Sequence, residues 1–137
     1  MMHEENHEHH ENEIGIAIAP VYFIKEKSTA LGLHLHYVRT IAHSKWGLGV
    51  GFEKIFDDHS HNIVDVIISY RPIHRLSFSL SPGINLDNRL KNPEFALHGE
   101  VAYEFVLGDF HIGPVLDLAR DHEDVHLSLG LHLGYGF

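Results

Sequence analysis

The chain has 137 residues with 19 acidic and 10 basic side chains, 15 histidines and no cysteine, a size that fits one domain. The missing cysteine excludes a disulfide framework and a thiolate ligand or nucleophile, and a formal charge of −9 argues against a nucleic-acid partner, whose phosphates demand a basic face. No stretch approaches the roughly 20 consecutive apolar residues of a membrane-spanning helix, which leaves strands as the only route across a bilayer.

The chain opens with MMHEENHEHHE, which has neither the cationic nor the apolar region of an export signal. If the protein is exported, the expectation is therefore a mature chain or a sequence without its leader. His3, His7, His9 and His10 are interleaved with glutamates here, and Met1 and Met2 are too few apolar residues to build a core. Residues 1–12 are expected to form a disordered tail, its histidines candidate ligands for loose metal capture.

From Glu13 onward the hydrophobic period is two, the mark of strands. Trp46, Leu48, Val50 and Phe52 alternate with Gly47, Gly49, Gly51 and Glu53. In the last run Val125, Leu127, Leu129, Leu131, Leu133, Tyr135 and Phe137 share one face, while His126, Ser128, Gly130, His132, Gly134 and Gly136 share the other. A helix would need apolar residues three and four apart, and glycine at every second position is a poor helix former. The same template gives eight segments: 13–24, 31–40, 46–55, 62–71, 75–85, 94–106, 109–119 and 124–137. Their connectors are short and carry turn residues, which forces antiparallel neighbours because a parallel pair needs a long crossover. Residues 13–137 are expected to form an eight-stranded antiparallel up-and-down barrel.

Two barrels fit such a meander, one with its apolar face inward and soluble, the other with that face toward lipid. The apolar face collects about three dozen large residues, whereas an eight-stranded barrel has an interior only just wide enough for side chains to fill. The opposite face is rich in Gly, Ala and Ser, which relieve crowding inside a narrow barrel and would only weaken a solvated outer face. A transmembrane β-barrel is the expectation, and a soluble lipocalin-like carrier of an apolar ligand is the alternative. Aromatic residues agree with the first. Tyr37, Trp46, Tyr70, Phe78, Tyr103, Phe105, Phe110, Tyr135 and Phe137 fall near one rim, and Tyr22, Phe52 and Phe95 near the other, as interfacial girdles do.

The final strand, ending Tyr135-Gly136-Phe137, resembles the C-terminal signature of bacterial outer-membrane β-barrels, and the architecture of residues 13–137 resembles the small OmpA/OmpX-type barrels. The resemblance implies residence in the outer membrane among its lipids and lipopolysaccharide. It also implies recognition by the barrel-assembly machinery through Phe137, and a structural, adhesive or surface-modifying role. The connectors 25–30, 56–61, 86–93 and 120–123 are small for adhesion loops.

By parity the interior receives Glu53, Asp65, Glu100, Glu104 and Asp117, with Arg71 as its only strong base, and also His34, His36, His98, His111, His126 and His132. Carboxylates about 5 Å apart at an effective dielectric of about 20 repel by roughly 3 kcal/mol per pair, so protons, imidazolium ions or a bound cation must compensate. His34, Glu53, Asp65, His98, Asp117 and His126 are expected toward the outer side. Their donor types suit Zn(II), Cu(II) or Ni(II), or else a hydrogen-bonded network. Arg71, Glu104, His111 and His132, with Glu100 beside them, are expected to form an ion-pair plug on the periplasmic side.

His126-Leu127-Ser128 resembles the His-x-Ser pair of the lipid A deacylases, with Glu100 or Asp117 as a third member. Both residues share the interior parity, however, whereas a lipid-cleaving nucleophile must reach acyl chains at the outer surface. A side-chain-filled lumen argues equally against a diffusion pore. The expectation is a non-catalytic outer-membrane protein.

Overall fold

Alternating apolar and small residues fold as extended chain in a computed structural model of the protein, which describes residues 11–25, 27–42, 44–56, 61–73, 75–86, 94–120 and 125–137. The tail histidines His3, His7, His9 and His10 lie outside the described residues. The strands are β1 (Asn12–Phe23), β2 (Ser28–Thr40), β3 (Trp46–Phe56), β4 (His61–Ile73), β5 (Leu76–Asn85), β6 (Glu94–Tyr103), β7 (Phe105–Leu107), β8 (Phe110–Arg120) and β9 (Val125–Gly136). Each pairs antiparallel with its sequence neighbour, except that β6 and β7 lie end to end and both pair with β8. The β1–β9 pairing closes the sheet into an up-and-down barrel of eight staves. Both described chain ends, the β2–β3 and β4–β5 connections and the turn at 108–109 lie at one end, called here the near end. The last of these turns relies on Gly108, whose φ of 67° a side chain would disfavour.

The period-two pattern decides which face is outside. Ile14, Ile18, Leu48, Val50, Leu129 and Leu131 all point outward, Val50 at 57% and Leu129 at 62% exposure. Gly15, Ala17, Ala19, Ser77, Ser81 and Ala102 on the alternate positions are buried. The inward-greasy soluble carrier is thereby overturned: the bulky side chains have no room along the axis and form a continuous outer band. Outward aromatic pairs gather at the near end. Trp46 lies 4.7 Å from Tyr70 between ring centroids, Tyr103 5.4 Å from Phe105 and Phe110 5.0 Å from Tyr135. Cations that share the outer parity stay near the strand ends: Arg39 reaches Glu11 at 3.8 Å, and Lys54 sits over the Phe56 ring.

The interior is not polar throughout. Val21, Phe23, Ile55 and Ile63 point inward at the far end, Ile55 and Ile63 with no exposed surface. Val21, Phe23 and Ile55 pack as one apolar cluster against Ala30. They share the inward parity of Ala19, Glu53 and Asp65, and their bulk fills the interior there.

Two prolines interrupt the ladders and thereby aim the charges. The β4–β5 register shifts between Tyr70 and Ile73, around Pro72, as at a β-bulge. Continuing the β6–β8 register would set Tyr103 opposite Pro114, which has no N–H to offer. Segment 94–106 is therefore not one strand. It breaks at Glu104, whose own N–H donates instead to the Arg75 carbonyl at 2.7 Å. Arg71 and Glu104, the strongest base and the most enclosed acid of the near end, both stand at these irregularities.

Candidate functional site

Glu104 is 1% exposed and gathers its neighbours at the near end. It accepts from Arg71 at 3.3 Å and from His111 Nδ1 at 2.7 Å, and His132 Nδ1 lies 3.6 Å away. Glu13 faces the same group from β1. Its Oε2 lies 3.1 Å from His111 Nδ1 and 3.7 Å from Arg71, and its Oε1 lies 3.4 Å from His36 Nε2. His36 and His132 stack with ring centroids 4.9 Å apart and Nε2 atoms 3.1 Å apart. Thus Arg71, Glu104, His111 and His132 converge. Glu100, grouped with them by depth, makes no ion pair or hydrogen bond with them, while Glu13 and His36 do join. Glu13 escaped the sequence reading because an acid at a strand's first position looks like a rim residue. Its shared parity with Gly15 and Ala17 was the available signal.

The second group lies deeper. His98 Nδ1 lies 3.2 Å from Asp117 and His98 Nε2 lies 3.5 Å from Glu53. Ligand atoms of Glu53, His98 and His126 all lie within 4.8 Å of one another, and all three residues are buried. His34 Nε2 lies 3.6 Å from Asp65, and the pair rests over Gly51, where a methyl group would collide with Asp65. The six residues thus form two subsets, Glu53–His98–Asp117–His126 and His34–Asp65. Glu53 Oε1, Asp65 Oδ1, Asp117 Oδ1 and His98 Nε2 are buried without a hydrogen bond, an arrangement that carries a free-energy cost.

A cavity of about 710 Å³ runs from the near-end turns inward. Glu13, His36, Arg71, Glu104, His111 and His132 line it, and it ends around His34, Ile67, Ser81 and Glu100. Glu53, His98, Asp117 and His126 are not on its wall. The interior is therefore a cup with a charged wall, a deeper layer of imidazoles and carboxylates, and an apolar far end.

No protein-family model matches the chain, and no curated protein matches it either. Solved structures do. A protein from the de novo design of transmembrane β-barrels superposes with a TM-score of 0.61 at 12% identity, covering 91% of this chain and 95% of that one. Neisserial surface protein A gives 0.60 at 9% identity, over 92% and 96%. The N-terminal β-barrel domain of Pseudomonas aeruginosa OprF gives 0.55 at 13% identity, over 93% and 99%. The fold is that of bacterial outer-membrane β-barrels. At these identities the likeness is one of fold, and the interior groups described above belong to this chain's own sequence.

Proposed function

We propose that the protein is a non-catalytic structural component of the outer membrane, a closed barrel that conducts no solute. The observation that carries this reading is the layered interior, a cup at the near end blocked by buried Val21, Phe23, Ile55 and Ile63. The near end is periplasmic in this reading, because it holds the chain ends and the shorter turns. Lipid and lipopolysaccharide contact the apolar band, and the barrel-assembly machinery reads the outward Phe137. We take the deep set as a structural network rather than an exchangeable Zn(II), Cu(II) or Ni(II) site, since of its six members only His34 reaches the cavity wall. Ser128 and His126 are both buried within the barrel, away from acyl chains, which supports a role without lipid hydrolysis.

Planar-bilayer recording of the refolded full chain, checked for heat-modifiable gel mobility, tests this. The expected result is a folded, detergent-requiring barrel with no steady conductance steps. Reproducible steps from the folded form would overturn the closed-barrel reading, and acyl release from lipopolysaccharide that is lost in Ser128→Ala would overturn the non-catalytic one.

A further inference from the structure

We propose that Glu13, His36 and His132 form a divalent transition-metal site on the cavity wall, with Zn(II) as the ion it fits. The three donors come from adjacent strands β1, β2 and β9. Their separations are 3.1 Å between the two Nε2 atoms, 3.4 Å from His36 Nε2 to Glu13 Oε1, and 3.9 Å from His132 Nε2 to Glu13 Oε1. The circle through three points so spaced has a radius of about 2.0 Å, which matches the Zn–N and Zn–O bond lengths of about 2.0–2.2 Å. An ion at its centre, or slightly toward the cavity, lies within bonding distance of all three donor atoms. The remaining coordination position faces the cavity, the arrangement of two imidazoles and one carboxylate that leaves zinc open to a water or an exogenous ligand.

The surroundings hold the donors in their binding orientation. Glu13 Oε2 is occupied by His111 and Arg71, which turns Oε1 toward the imidazole pair. His132 faces Glu104 with Nδ1 at 3.6 Å, too far for a hydrogen bond, and a proton on Nδ1 toward that carboxylate leaves Nε2 with a free lone pair. Gly15 keeps the seat clear: a methyl group on it would collide with His36 Nε2 and stand 2.8 Å from His132 Nε2. The second carboxylate, Glu104, lies beside the site and adds negative charge next to an ion held by Glu13.

Two other groups of donors lie within the same reach, and each fits less well. Glu13, Glu104 and His111 offer one imidazole whose Nδ1 is already held at 2.7 Å by Glu104. Glu53, His98 and His126 are buried and absent from the cavity wall.

Titration calorimetry with Zn(II) on the folded full chain tests the site. His3, His7, His9 and His10 are replaced by Ala in every sample so that the tail takes up no ion. The expected result is one bound equivalent in this parent, with Co(II) substitution giving the visible bands of a four- or five-coordinate ion. His36→Gln and His132→Gln should each weaken binding at least tenfold, and Glu104→Gln, which touches no ligand directly, should weaken it by less. Gly15→Ala keeps every ligand and should still weaken binding, and heat-modifiable mobility identifies any variant that has not folded. Absence of binding in the folded parent would overturn the site and show the imidazole pair to be joined by a hydrogen bond alone. So would binding that survives His36→Gln and Gly15→Ala, or binding lost only in His98→Gln, which would place the ion in the deep set. None of these results bears on conductance, so the closed-barrel reading stands or falls separately.

Discussion

The near and deep polar groups use the same residue types but balance their charge differently. At the near end Arg71 supplies a permanent cation. Both carboxylates point at it, and Glu104 makes bonds of 2.7 and 3.3 Å. In the deep group the carboxylates of Glu53, Asp65 and Asp117 meet only imidazoles among the described residues, at 3.2–3.6 Å. Several of their oxygens have no hydrogen bond. Position explains the difference. Arg71 stands at a bulge beside the open cup, where its guanidinium stays partly hydrated, whereas a guanidinium beneath the apolar layer would have to be fully desolvated. A narrow barrel thus keeps its fixed charge near water and leaves proton-dependent charge in its sealed part.

The largest expected effect follows from removing the hub of the near group. Glu104→Gln keeps the volume but leaves Arg71 and His111 short of their main acceptor. The expected loss is about 3 kcal/mol, near the low end for breaking a buried pair because Arg71 reaches cavity water. Urea unfolding in micelles, followed by the fluorescence of Trp46, the sole tryptophan, measures it. A loss below about 1 kcal/mol would mean that the near group is no more committed to its charges than the deep one.

A middle-sized effect separates the two glycine seats. Gly51 is enclosed by Asp65, by His34 Nε2 at 2.7 Å and by Ile67 at 3.2 Å, so a methyl group there overpacks a sealed layer. Gly51→Ala is expected to cost about 1–3 kcal/mol. Gly15 is crowded only by the ring edges of His36 and His132, which line the cavity, so Gly15→Ala is expected to cost less than Gly51→Ala, about 1 kcal/mol in the absence of metal. Equal costs would show that the cup is as tightly packed as the layer beneath it.

Much of this was legible in the sequence, because period two is a local signal. Val125 through Phe137 alone separate an apolar from a small, polar face, and the connectors allow only antiparallel neighbours. The interior contacts were less legible, since they depend on register around the whole barrel. His98 and Glu53 are far apart in sequence, on strands that do not pair, and meet only across the axis. The break at Glu104 required knowing that Pro114 falls opposite Tyr103, which no single strand reveals. Phe23 and Ile55 looked like ordinary strand formers, and only their parity distinguished an inner plug from the outer band.

The smallest expected effect is the most discriminating for the deep group. Glu53→Gln removes one member of a set of buried acids and thereby relieves repulsion from Asp65 and Asp117, at roughly 3 kcal/mol per close like-charged pair. The same change weakens the 3.5 Å attraction to His98 and leaves an amide where an acid was already without a hydrogen bond at Oε1. These terms oppose each other, and the net cost is expected to stay within about 0–1 kcal/mol by the same urea measurement. A loss approaching that of Glu104→Gln would mean that Glu53 holds a cation in the folded barrel, imidazolium or metal. Repeating the measurement with a chelator separates the two, since only a metal would make the cost of Glu53→Gln vanish when the ion is withdrawn.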